Sequence, residues 1–227
     1  MSGANLDLSG VFAALEAAPT KSFGAGRAIM FVGARRGEGV TSIACAATQT
    51  QQTRPVFAID LDVRRNDLAQ RIAARHRLGP RVDGSLGGVQ FCVATDAQGY
   101  ALAQAASYSF HRAANARLYV GALEGRALPK RAQVLISSKP DYWDAVRAGG
   151  ALAIVDAPAL SWSKVALRVA PHMDGVVLVV SDDAGAAPAA LAAKAELDRA
   201  GAQVIGLVYT GAAALAPVLD RVLRQAG

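Results

Sequence analysis

Apolar positions along the chain fall into two periodicities. Continuous apolar blocks occur at Ala28-Ile29-Met30-Phe31-Val32, at 55–61, at Leu152-Ala153-Ile154-Val155 and at 175–181. Such blocks predict strands buried on both faces of a sheet. Shorter runs at 89–93, 117–121 and 203–209 predict further strands. Between them the apolar residues recur at helical spacing. Leu8, Val11, Phe12 and Leu15 define an amphipathic helix over 7–18, and similar patterns predict helices over 40–52, 67–77, 98–113, 139–148, 186–200 and 213–226, with a short element over 163–170. Gly79-Pro80 and the stretch from Gly84 to Gly88 predict loops. Strand–helix alternation with right-handed crossovers gives a three-layer α/β fold, a parallel sheet with helices on both faces.

At 227 residues the chain has the length of one large domain, and no linker-like stretch divides it. The expected organisation is an N-terminal amphipathic helix and linker over 1–26 and a single domain over 27–227. A hydrophobic content of 52% supports a packed core. No apolar run reaches the ~18–20 residues that cross a bilayer, and the N-terminus lacks the basic and apolar regions of a signal peptide. Cys45 and Cys92 lack metal-like spacing and read as buried free thiols, which points to a reduced, cytoplasmic setting. The net charge of +6 would suit an anionic partner, but the basic residues are scattered and no DNA-reading motif is present. Nucleic acid is therefore not the expected partner.

The stretch Gly33-Ala34-Arg35-Arg36-Gly37-Glu38-Gly39-Val40-Thr41-Ser42 follows the first strand and opens a helix. It fits the phosphate-binding pattern G-x-x-x-x-G-K-[ST] except at one position. Gly37 and Gly39 let the backbone curl so that successive N–H groups face phosphate oxygens. Thr41 stands where a hydroxyl ligates magnesium, and Val40 stands where the lysine belongs. Two further strand ends carry carboxylates, Asp60-Leu61-Asp62 and Asp156. Ligands in open α/β sheets bind beyond such ends, so Thr41, Asp60 and Asp156 are the candidate holders of magnesium, if any is bound, although such an aspartate can also merely cap the next helix.

The segments FVGARRGEGVTS, FAIDLDVRR and AIVDAPA, in that order, resemble the Walker A, Walker A′ and Walker B motifs of the bacterial tyrosine kinases that serve capsule and exopolysaccharide synthesis. The resemblance runs from about Arg27 to Gly211. It includes Arg117-Leu118-Tyr119-Val120-Gly121-Ala122-Leu123 and the strand from Asp174 to Val180, and implies a P-loop NTPase-like fold. It implies magnesium and acid–base roles for Asp60 and Asp62, and a magnesium-bound water for Asp156. It also implies a nucleotide lying along Arg35, Arg36, Gly37, Glu38, Gly39, Val40, Thr41 and Ser42, with its base near Thr210.

Departures from that pattern point away from catalysis. Loss of a charge-assisted hydrogen bond at Val40 removes about 1.5–3 kcal/mol of phosphate binding, and the loss in phosphoryl transfer is larger because charge stabilisation is most of that catalysis. Thr210 replaces a base-recognising asparagine, and no tyrosine cluster ends the chain. On this resemblance the expected function is that of an impaired, kinase-like protein resembling stand-alone cytoplasmic components of exopolysaccharide or holdfast polysaccharide synthesis. It would need no cofactor, or ATP or ADP with Mg2+ if nucleotide binding survives. The expected partner is a membrane polysaccharide co-polymerase, with anionic lipid beside it and a basic rim of Arg35, Arg36, Arg64 and Arg65 facing both. That places the protein peripheral to the inner membrane. Two alternatives stay open: an active ATPase or tyrosine kinase using Arg35 or Arg36 in place of lysine, and a partition-type positioning ATPase. A third expectation is local: Arg35, Arg36 or Arg64 should neutralise Asp60, Asp62 and Asp156 when no cation is bound.

Overall fold

The computed structural model describes residues 7–21, 24–50, 53–102, 107–124 and 131–211. Its strands are β1 (Arg27–Gly33), β2 (Val56–Asp60), β3 (Leu78–Asp83), β4 (Cys92–Thr95), β5 (Ser107–Ala113), β6 (Leu118–Glu124), β7 (Gln133–Ile136), β8 (Leu152–Asp156), β9 (Gly175–Ser181) and β10 (Val204–Thr210). Its helices are α1 (Ser9–Ala17), α2 (Val40–Thr50), α3 (Asp67–Ala73), α4 (Asp141–Ala148), α5 (Val165–Val169) and α6 (Ala186–Arg199). The main sheet runs β10-β9-β1-β8-β2-β6-β5-β3, and β4 pairs with β7 in a small separate ribbon. No helix among the described residues is long and apolar enough to cross a membrane.

The continuous apolar blocks form the centre of the sheet because both of their faces are covered. Ala28, Met30 and Val32 face one core with Trp143 and Val146 of α4 and Ala190 and Leu197 of α6. Ile29 and Phe31, one residue out of step, face the opposite core with Leu8, Phe12 and Leu15 of α1, Ile43 and Ala47 of α2, and Leu68 and Ile72 of α3. That period-two split makes the three layers. A buried ion pair ties the lower end of the sheet together. Arg147 of α4 meets Asp174 at 3.0 Å, and Asp174 also accepts the N–H of Ala28 at 2.7 Å and of Lys21 at 3.0 Å.

The sheet is parallel from β10 to β6, as expected, but its far edge is not. β5 runs antiparallel to β6, and β3 antiparallel to β5. The helix expected over 98–113 is corrected here: 107–113 is a strand, and 103–106 lie outside the described residues. The alanines before it gave the helical appearance. Yet Tyr108 and Phe110 alternate at strand spacing, and both are buried against Phe91 and Phe57, with ring centroids 4.5 and 4.9 Å apart. Aromatic burial outweighs local helix propensity. The loop expected at Gly79-Pro80 is instead the edge strand β3, where the register slips between Leu78 and Arg81. An edge tolerates a proline that cannot donate to a ladder. The helix expected over 67–77 ends at Ala73, and β7 was not anticipated. The helix expected over 213–226 lies outside the described residues.

Candidate functional site

The carboxyl ends of β1, β2 and β8 converge on one cleft of about 460 Å³. It is lined by the loop from Arg35 to Ser42, by Asp60 and Asp62, and by Asp156 with the residues after it. The glycine-rich loop and the acidic strand ends that the sequence singled out are therefore brought together in one cleft. The segment after β8 is stitched to the loop: Leu160 N–H donates to the Gly33 carbonyl at 3.0 Å and Ser161 N–H to that of Ala34 at 3.1 Å.

Gly37 and Gly39 sit at φ of +87° and +85°, a region that side chains disfavour. The curl they allow leaves the N–H groups of Gly37, Glu38 and Gly39 with no acceptor among the described residues. Three successive donors facing a cleft at a helix start make a cradle for an anion. At the lysine position, Val40 is half-buried and packs against the apolar core of the α1–α2–α3 layer. It contributes no charge to the cradle.

Arg35 and Arg64 are committed elsewhere, which corrects the expectation that they neutralise the strand-end aspartates, while the charge of Arg36 still acts on Asp62. Arg35 turns away from the carboxylates: its guanidinium donates to Asp183 at 2.9 and 2.7 Å, to the Ser181 hydroxyl at 2.8 Å, and to Glu38 at 3.2 Å. Glu38 is buried and also accepts the Arg35 backbone N–H at 3.0 Å. Arg36 lies over the ring of Trp162, 4.4 Å from its centroid. Arg64 donates to the Ala132 carbonyl, and Arg65 pairs with Asp67 at 3.1 Å. The expected basic rim is thus largely engaged within the chain. Thr210 is also committed, its hydroxyl donating to the Glu38 carbonyl at 2.8 Å. It braces the loop from β10.

Asp60 and Asp156 are register partners on adjacent strands, and both are buried. Burial pushes the Asp60 carboxyl up to about 6, against the pull of the Leu68 and Asp62 N–H groups that it accepts. Burial, then the charge of Asp60, raises Asp156 well above the carboxylate range, while the Thr41 hydroxyl bonded to it opposes that rise. Burial also raises Asp62, with Arg65 opposing. Two buried, proton-retaining carboxylates beside a hydroxyl are the donor set of a hard divalent cation. Thr41, Asp60 and Asp156 would hold Mg2+, whose charge would stabilise both carboxylates in ionised form. The metal pole and the N–H cradle fit a magnesium-bound nucleotide phosphate; the position of the lysine does not. Sequence reasoning missed Trp162, an exposed aromatic at the cleft mouth, and Arg71 of α3, a cation in the cleft wall. Neither carries a spacing signal, since the fold brings them in from outside the loop and the strand ends.

No family model matches the sequence, and no curated protein matches it at a significant level. Solved structures do share its architecture. The MinD cell division protein of Aquifex aeolicus matches with a TM-score of 0.53 and 16% identity, over 88% of this chain and 73% of that one. The chimerical protein CapA2B2 matches with a TM-score of 0.50 and 14% identity, over 88% and 80%. The kinase domain of the Escherichia coli tyrosine kinase Etk matches at 0.48 and 16%, over 82% and 68%. At such identities the likeness is one of fold: this chain has the three-layer, mostly parallel sheet of P-loop NTPase-like proteins.

Proposed function

We propose that this chain is a kinase-like P-loop protein with impaired phosphoryl transfer, and that it works in exopolysaccharide synthesis or export by binding a membrane co-polymerase. One observation carries the impairment: an uncharged, half-buried Val40 stands at the cleft where a lysine would bridge phosphates, and one candidate substitute, Arg35, is held by Asp183 and Glu38. A transferring phosphoryl group gathers charge on its equatorial oxygens, and backbone donors without the loop lysine stabilise it less well. The same geometry argues against an active kinase that uses Arg35. The polysaccharide role and the membrane partner rest on the order and spelling of the three sequence motifs.

Calorimetric titration with ATP–Mg2+ tests the impairment. The expected result is no saturation in the low-micromolar range, and a clear low-micromolar isotherm with turnover overturns it. Co-purification from detergent-solubilised membranes of cells making the polysaccharide tests the partner. A protein that elutes alone defeats that half of the proposal.

A further inference from the structure

A second recess lies at the far end of α2 from the phosphate loop. It has a volume of about 930 Å³ and is lined by Thr48 and Gln49 at the end of α2, Arg75 and His76 after α3, Arg112 at the end of β5, and the turn through Arg117. A third recess of about 620 Å³ shares Arg112 and Asn115 with it and adds Arg77. Helix α2 starts at the phosphate loop and ends here, so its 11 residues separate the two sites by about 16 Å.

The charge is one-sided. Arg75, Arg77, Arg112 and Arg117 line these recesses, and among the described residues no aspartate or glutamate lines either. Three of the four make single, weak internal contacts. Arg75 reaches the Cys45 sulfur at 4.0 Å, Arg112 donates to the Ala116 carbonyl at 3.4 Å, and Arg117 to the Thr53 carbonyl at 3.2 Å. That leaves most of their N–H donors pointing at solvent. A cation just past the carboxyl end of α3 offsets the helix dipole there, which accounts for Arg75. It does not account for Arg112 and Arg117, which come from the β5–β6 turn. That turn is shaped by Asn115 at φ +59°.

We propose that this recess binds a small molecule carrying a pyrophosphate or several phosphate groups. Its size falls in the range of small-ligand sites, and its concavity suits a compact anion better than a flat bilayer. Forked guanidinium groups from separate elements match phosphate oxygens in pairs. The neutral members, Gln49 and Asn115, offer amides to hydroxyl groups, and no Phe, Tyr or Trp lines the recess among the described residues. The ligand's recognised part is therefore its phosphates and hydroxyls. This site is independent of nucleotide binding at the phosphate loop.

The test is titration of the full chain with inorganic pyrophosphate, against sulfate at equal ionic strength, with hydrogen exchange to locate the effect. Pyrophosphate should bind at least tenfold more tightly than sulfate and slow exchange over 75–77 and 113–118. The double variant Arg112→Ala, Arg117→Ala should lose roughly tenfold or more in affinity, with its melting temperature in the absence of ligand unchanged. Protection confined to 36–42 overturns the proposal, since binding is then at the phosphate loop alone. So does salt-sensitive binding to phosphatidylglycerol vesicles that the double variant abolishes while pyrophosphate fails to bind, because the surface is then a membrane face.

Discussion

Asp60 and Asp156 sit directly beside each other on β2 and β8, buried, with no arginine bonded to either carboxylate among the described residues. The pair is the main electrostatic cost of this site, and it gives the fold a pH dependence. Asp60 holds its proton up to about pH 6 in the folded chain, against about 3.9 in an unfolded one. Between those values the folded state binds more protons, so stability is greatest at the acid side and falls as pH rises through the window. The loss from Asp60 is about 2–3 kcal/mol by pH 7.5. About half of that loss, ~1.4 kcal/mol, falls between pH 5 and 7.5; urea denaturation at those two values should show it in the wild type, and Asp60→Asn should flatten the slope. A wild type equally stable at both values would mean that the carboxylates are solvated.

The same pair predicts a metal response. Millimolar Mg2+ should raise the melting temperature more at pH 7.5 than at pH 5, where protons compete more strongly for the two carboxylates. Asp60→Asn and Thr41→Val should each weaken that rise. A shift that survives both substitutions would place the cation elsewhere.

Arg147 and Asp174 form the other buried charged contact, and there the charge is compensated. Asp174 is fully buried and receives one guanidinium and two backbone N–H groups. Removing only one partner strands a buried charge, so Arg147→Ala should cost about 3–5 kcal/mol. The double variant Arg147→Ala, Asp174→Ala should cost less than the sum of the singles, as a double-mutant cycle in urea would show. Additive costs would mean that the two side chains act separately.

The centre of the fold was legible because its strands are buried on both faces, so that Ala28–Val32 and Leu152–Val155 could hardly be anything else. The phosphate loop was legible because two glycines at positive φ and a helix start leave a spelling. The sheet's edge was not. The segment ending at Ala113 opens with helix-forming alanines, and only the tertiary burial of Tyr108 and Phe110 makes its described part a strand. Nor could side-chain pairing be read from proximity in sequence. The motifs suggest Asp60, Asp62 and Asp156 as partners for Arg35, but the fold offers it Asp183, 148 positions away, just after β9.

That long-range clasp predicts a graded response. Arg35 holds the buried Glu38 and the exposed Asp183 at once. Arg35→Ala should lower the melting temperature more than Asp183→Ala, because only the former strips the guanidinium from the buried carboxylate. Arg35→Lys should rescue only in part, since an ammonium cannot fork between Glu38, Asp183 and Ser181. Equal melting temperatures for all three variants would mean that the clasp adds nothing to the fold.

Val40→Lys is the substitution that separates a lost residue from a lost site. The helix start, the glycine curl, the open N–H groups of Gly37 to Gly39 and the Thr41–Asp156 contact are all in place. A lysine at position 40 would lie on the same half-buried helix start, near Asp60 and Asp156. Its ammonium should therefore lower the proton affinity of both carboxylates and flatten the pH slope described for the wild type. With ATP–Mg2+ it should tighten binding by about ten- to a hundredfold, the equivalent of one charge-assisted hydrogen bond. Calorimetry and urea denaturation on the one variant read both effects. A flattened pH slope without tighter nucleotide binding would show that the loop no longer cradles phosphate, and that what survives beyond the strand ends is only the metal pole.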